Sequence, residues 1–110
     1  MTFEQQIEAE HQRIIKERDT VIKIMAVRLW EDLKVVSPVD SGELRNSWEA
    51  PKQIIGGWRI SNFAPHAIVI DGGRRTENGK TYGSEQLPDG FTPTVIRAET
   101  DMNKALGAIK

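Results

Sequence analysis

The sequence predicts an α+β fold. An uninterrupted apolar stripe of helical period runs from Phe3 to Val36, Gly56-Gly57 sits between apolar flanks, and a second amphipathic run begins at Thr92-Pro93. The expected order is a long N-terminal helix, short helices, a small antiparallel sheet and a C-terminal amphipathic helix, in a single domain spanning 1–110.

The first helix is expected over 3–36. Ile7, Ile14 and Val21 form one row; Ile15, Ile22, Leu29 and Val36 form a second, and Met25 and Leu33 widen the stripe. Thr2 and Gln5 have the spacing of a capping box. At roughly 1.5 Å per residue such a helix is about 50 Å long, more than so small a domain covers by itself. Its N-terminal half is therefore expected to project and to pack on a neighbour. A coiled coil is disfavoured, because Arg28 interrupts the first row.

Pro38 pushes the residue before it out of the helical region and ends the helix. Asp40 or Ser41 is expected to cap a short helix through Leu44 and Trp48, with Glu43 in its first turn and Pro51 at its end. Gln53 to Asn62 reads as a hairpin or bulged strand pair, with Gly56-Gly57 supplying the turn. Pro65 opens a short helix or turn, Ala67 to Ile70 is expected to be a buried apolar run, and Asp71-Gly72-Gly73 stops it. The segment 74–92 is the least regular, rich in turn residues that can close a small hairpin. Thr92-Pro93 has the signature of a cap followed by proline, and Val95, Ile96, Met102, Leu106 and Ile109 are expected to form the apolar face of the last helix.

Composition narrows the function. The 110 residues carry 15 Lys+Arg against 16 Asp+Glu, a formal charge of -1, which argues against nucleic acid as the main ligand. Cysteine is absent, so disulfides and thiolate metal sites are excluded. The opening residues are polar and charged, unlike a secretory signal, and no apolar run reaches the length of a membrane span. A soluble intracellular protein without membrane contact is the expectation.

Catalytic patterns are tested and fail. His11 has Ile15 at i+4 rather than a second ligand, and His66 reaches Asp71 only through folding. Gly73 stands six residues before Gly79, where a phosphate-binding loop needs five. Asp40 and Glu43 flank the short helix as a glycosidase pair would, but capping explains Asp40 more simply, and Arg45 is available to pair with either acid. Trp48, Trp58, Phe63 and Phe91 read as core or interface anchors. Arg74, Arg75 and Lys80 have two open readings, a solvated loop tip or a contact with phosphate or a carboxylate-rich partner. No enzyme and no cofactor is expected.

Pro38-Val39-Asp40-Ser41-Gly42 followed by Leu44-Arg45-Asn46-Ser47 resembles the proline–valine–aspartate–threonine–glycine–x–leucine–arginine–x–serine signature of the tail-completion, or neck, proteins of tailed double-stranded-DNA bacteriophages. Asn62-Phe63-Ala64-Pro65-His66-Ala67, leading to Ile70-Asp71-Gly72-Gly73, resembles that family's second segment, and the closing helix after Thr92-Pro93 is similar to theirs. Ser41 stands where threonine is usual and keeps the hydroxyl, while 74–92 has no counterpart motif. The resemblance implies a structural virion protein of the neck or tail, assembled in the host cytoplasm as a hexameric ring. Its implied partners are the tail terminator or tail tube and the head connector or head-closure proteins, with DNA passing through unbound. Pro38, Asp40, Ser41 and Gly42 would then fix the corner, with Arg45 packing and pairing beside it. Asp71, Gly72 and Gly73 would turn the chain into the loop, and Arg74, Arg75 and Lys80 would face the lumen or a neighbouring subunit. A tail-terminator or head-closure ring subunit is the neighbouring alternative. A small helical adaptor or antitoxin-like regulator, or a small hydrolase using His66 and Asp71, is the alternative from other classes.

Overall fold

At the start of the chain the Thr2 hydroxyl accepts from the Gln5 amide at 3.2 Å while the Gln5 side chain accepts from the Thr2 amide at 2.9 Å, a closed capping box. The helix it opens, α1, spans Phe3–Val36 without interruption, as the sequence predicts. A computed structural model describes residues 2–38 and 42–109. The helix ends where expected: Ser37, ahead of Pro38, is extended at φ -67 and ψ 133, and its amide still bonds the Leu33 carbonyl at 3.2 Å.

Seven further elements follow: α2 (Glu43–Asn46), β1 (Lys52–Ile54), β2 (Gly57–Arg59), α3 (Ala67–Asp71), β3 (Arg75–Glu77), β4 (Lys80–Tyr82) and α4 (Thr92–Gly107). The class is α+β, with the antiparallel pairing divided between two 2-stranded sheets, β1-β2 and β3-β4. The core lies at the C-terminal end of α1, where Leu33 meets Leu44, Ala64, Leu87 and Phe91, with Leu29, Trp48, Ile60 and Ile70 packed around them. From there α4 runs back along α1: Val95 shares a cleft with Leu29, and Ile109 shares another with Lys16 and Val21. Beyond that contact α1 continues alone, and every residue from Phe3 to Arg13 is exposed. The extents of 71 × 21 × 21 Å and the radius of gyration of 18.7 Å, against about 13 Å for a compact chain of this size, reflect that arm.

Several expectations are corrected. The first hairpin turns at Ile55-Gly56, not Gly56-Gly57: Ile54 pairs with Gly57, and the positive φ of +87 that the two-residue loop needs is taken by Gly56. The short helix ends at Asn46, well before Pro51, because Trp48 is drawn into a bridge with Asn62. Its N-cap is Gly42, at φ 74 with no side-chain cap bond, while Asp40 and Ser41, the expected caps, lie outside the described residues. The Ala67–Ile70 run is not buried: it forms α3, no residue of which is buried, and Ile68 is 84% exposed. Within 74–92 the small hairpin that its turn residues allow does form, at Asn78-Gly79, whose φ values of 52 and 77 are the paired positive angles of a type I′ turn. Phe91, not Thr92, is the N-cap of α4, with Pro93 inside the first turn. On that helix Ile96 points outward, 56% exposed, and Thr94 is buried in its stead.

Candidate assembly interface

The corner after α1 is held by three polar side chains. Ser37, at 1% exposure, donates its hydroxyl to the Leu33 carbonyl at 2.6 Å and accepts from the Trp48 indole Nε1 at 2.8 Å. Arg45 projects back from α2, and its Nη2 donates to the carbonyls of Val35 and Ser37 at 3.3 and 3.2 Å. Those carbonyls belong to the end of α1, where helical partners run out and the dipole is negative, so a guanidinium there acts as a C-terminal cap. Asn62 completes the set. Its Nδ2 donates to the Leu44 carbonyl and its Oδ1 accepts from the Ala64 amide, both at 2.8 Å. The segments on either side of the β1-β2 hairpin are thereby brought together, helped by the Glu49 amide to Ser61 carbonyl bond at 2.8 Å. The ring of Trp48 stands edge-on to Phe91, centroids 5.1 Å apart at 85°, which ties the corner to the start of α4.

The second predicted turn is also architectural. α3 stops at Asp71, Gly72 caps it, and Gly73 turns the chain at φ +80. Asp71 Oδ1 accepts from the Phe91 amide at 3.2 Å, so this carboxylate is used to start α4. Sequence reasoning gave Ser37, Trp48 and Asn62 no hydrogen-bonding role. Only their chain positions, beside the proline and glycine corners, hinted at one.

The basic residues of the loop divide. Arg75 donates to the Val69 and Gly73 carbonyls at 3.2 and 3.0 Å, lies over the Tyr82 ring at 5.6 Å, and pairs with Glu77 at 3.4 Å. It locks the second hairpin to α3. Arg74 makes a surface pair with Glu85 at 3.3 Å, and Lys80 is exposed opposite Glu77. A pair of that kind contributes about 0–1 kcal/mol, so Arg74 is held loosely.

A cleft of about 340 Å³ between Pro38, His66, Ile70, Arg74 and Ser84 is the most polar concavity near these residues. Its groups form no relay: the Ser84 hydroxyl accepts from the Gln86 amide at 3.1 Å, and no hydrogen bond joins His66 to Ser84 or Asp71 among the described residues. Nor do the described residues group His, Asp and Glu side chains as metal ligands would be grouped. No described helix is long and apolar enough to cross a membrane.

The apolar surface stands out more than any polar site. Phe3, Val35, Ile55, Phe63 and Ile68 are 75%, 72%, 104%, 66% and 84% exposed. A largely apolar groove of about 350 Å³ runs between α1, the first hairpin and α4, walled by Met25, Leu29, Trp58, Ile60, Val95 and Met102. Compared with protein-family models, curated proteins and solved structures, the chain gives no match.

Proposed function

We propose that this chain is a non-catalytic structural subunit of the neck of a tailed double-stranded-DNA bacteriophage. It completes the tail end and joins it to the head connector as a ring around the DNA path, six copies being the closure the resemblance implies. The observation that carries the reading is how little the subunit buries alone. Among its described residues the buried hydrophobic set is Leu33, Leu44, Ala64, Leu87 and Phe91, while large apolar side chains stay outside along the whole length. A chain so composed is completed by neighbours. In support of it, Arg45, Asn62 and Asp71, described residues within the two stretches that carry the resemblance, are engaged in hydrogen bonds that tie neighbouring segments together. Arg74 and Lys80 are the basic loop residues that remain at the surface for a lumen or inter-subunit role, with Arg75 held inside the loop.

Native mass spectrometry across a concentration series, with electron microscopy of large species and of mixtures with tail tubes, tests the reading. Closed rings, alone or on tube ends, are expected. The projecting start of α1 favours one second reading, a helical adaptor, and a tight dimer that ignores tail tubes would put it first.

A further inference from the structure

We propose that the cleft between Leu44, His66, Ile70, Arg74 and the 84–86 turn binds a carboxylate carried on a branched aliphatic group. That group belongs either to a free acid or to the last residue of a peptide chain. The site does not depend on the assembly reading, since a lone chain and a ring subunit carry it alike. Three segments far apart in sequence build it. Leu44, a member of the core cluster, supplies apolar lining. His66 opens α3, and Ile70 donates its amide to the His66 carbonyl at 3.1 Å. The third segment is fixed by backbone contacts. The Arg74 amide donates to the Pro88 carbonyl at 2.8 Å. Gly83, at φ +86, comes so close to Gly73 that a Cβ would stand 2.3 Å from the Gly73 carbonyl oxygen. Only glycine permits this approach, which holds the 84–86 turn beside Arg74. The space of about 340 Å³ is therefore preformed, and it lies at the small end of ligand pockets, with room for one residue-sized molecule.

The polar groups of the cleft have hydrogens to spare. Arg74 spends one N–H on Glu85, at 3.3 Å, a long contact for a charge-assisted pair. The His66 ring makes no hydrogen bond among the described residues. Ser84 Oγ accepts from the Gln86 amide at 3.1 Å, which leaves its own hydrogen to donate. Glu85 shows which group suits the guanidinium. Its carboxylate already sits there, but its side chain is 81% exposed and reaches Arg74 from the water side. A ligand carboxylate entering between His66 and Ser84 takes that place on Arg74 and gains their donors as well, while Glu85 returns to solvent. The aliphatic part then lies against Leu44 and Ile70. A phosphate uses the same donors but leaves this apolar lining uncovered, and an uncharged ligand leaves the guanidinium unused.

Amide NMR titration of the intact chain tests this, with N-acetyl-leucine as the chain-terminus probe and 4-methylpentanoate as the free acid. Saturable shifts centred on 66–74 and 83–87 are expected with at least one of them, and the tighter of the two identifies the source. N-acetyl-leucinamide lacks the carboxylate and inorganic phosphate lacks the aliphatic part, so each should bind at least tenfold more weakly. Arg74→Gln, which breaks only a surface pair, should weaken the acids at least tenfold while leaving the melting temperature unchanged. Glu85→Gln removes the competing carboxylate and should tighten them. Failure of both acids to saturate the chain up to about 10 mM overturns the proposal. So do shifts centred elsewhere, binding that survives Arg74→Gln, and an amide or phosphate bound as tightly as the acids. Unchanged or weaker binding to the Glu85→Gln variant overturns the exchange on which the site is argued.

Discussion

Trp48 donates its indole N–H to the hydroxyl of Ser37 at 2.8 Å, and that hydroxyl in turn donates to the Leu33 carbonyl at 2.6 Å. One buried oxygen therefore links the end of α1 to the exit of α2. Replacing Ser37 with alanine strands the indole N–H in a buried site, a loss expected to cost about 1–3 kcal/mol. Trp48→Phe removes the donor together with part of the ring packed on Phe91. Chemical denaturation of the single and double variants checks this: the double should be more stable than the sum of the singles implies, by about 0.5–3 kcal/mol. Strict additivity would mean that the bond contributes nothing.

Arg45 is expected to matter through carbonyls rather than carboxylates. Its contacts to Val35 and Ser37 are long for charge-assisted bonds, and its Nε is buried with no partner among the described residues. Arg45→Met gives up the cap but also removes that unsatisfied nitrogen. The net loss is therefore expected near 1 kcal/mol rather than at the upper end of the 1.5–3 usual for charged hydrogen bonds. It should vary little with salt, unlike an ion pair, and Arg45→Lys should not restore it, because a point charge cannot span both carbonyls. Urea titrations at low and high ionic strength read both effects.

The long-range periodicities are legible in the sequence. α1 occupies 3–36 as the stripe and Pro38 require, and α4 begins at Thr92, one residue before its proline. What was not legible turned on contacts made in three dimensions. Ala67 to Ile70 has the composition of a buried strand, but in α3 only one side of the run reaches the core and Ile68 faces away. The short second helix looked longer because nothing in its sequence signals that Trp48 bridges to Asn62. By contrast, Asn78-Gly79 between Glu77 and Lys80 is a visible turn signal and a hairpin does close there, although its flanking strands, three residues each, are too short to show a strand periodicity. Of the candidate site, the corner positions were readable and their bonding was not.

Gly90 and Gly79 both have positive φ, at +64 and +77, yet they should tolerate alanine very differently. A Cβ at Gly79 meets nothing within 4 Å, so Gly79→Ala carries only the conformational penalty of about 1–2 kcal/mol. A Cβ at Gly90 would stand 2.2 Å from the Asp71 carbonyl oxygen, beside the carboxylate that binds the Phe91 amide. Gly90→Ala must displace backbone and should cost well beyond the Gly79 variant, with α4 losing its anchor. Thermal melts rank the pair, and equal melting temperatures would show that the contact with α3 relaxes freely.

The arm of α1 should be weakly sensitive to acid. The hydrogen bond from Arg13 holds the Glu10 carboxyl below its ordinary pKa, and Arg13, bonded to Glu10 and Glu17, is raised above its own. A depressed carboxyl stabilises the helix above its unfolded pKa, and that contribution is lost as pH falls through the depressed value. The arginine loses its share only in strong alkali. Both groups are fully exposed, so the effect is local and screened by salt. Amide exchange across 8–17 should quicken, relative to the intrinsic rate, below the carboxylate range in low salt, and Glu10→Gln should abolish that dependence.

The exposed ring of Phe63 and side chain of Ile68 provide a further test of the assembly reading. Ile68 lines a cleft with Leu29, Trp48 and Ile60, and Phe63 stands next to Asn62 of the same cleft. At 66% and 84% exposure neither side chain contributes much to the isolated fold, and what Phe63 does for it runs through its amide, bonded to the Ser47 carbonyl at 3.3 Å. Phe63→Ser and Ile68→Lys should therefore shift stability by no more than about 0.5 kcal/mol. If a neighbouring subunit covers them, each should weaken self-association tenfold or more, since buried aromatic and aliphatic anchors dominate such contacts. Sedimentation velocity with parallel denaturation separates the two quantities. Variants that fold and assemble like the parent would remove this face from the proposed assembly contacts.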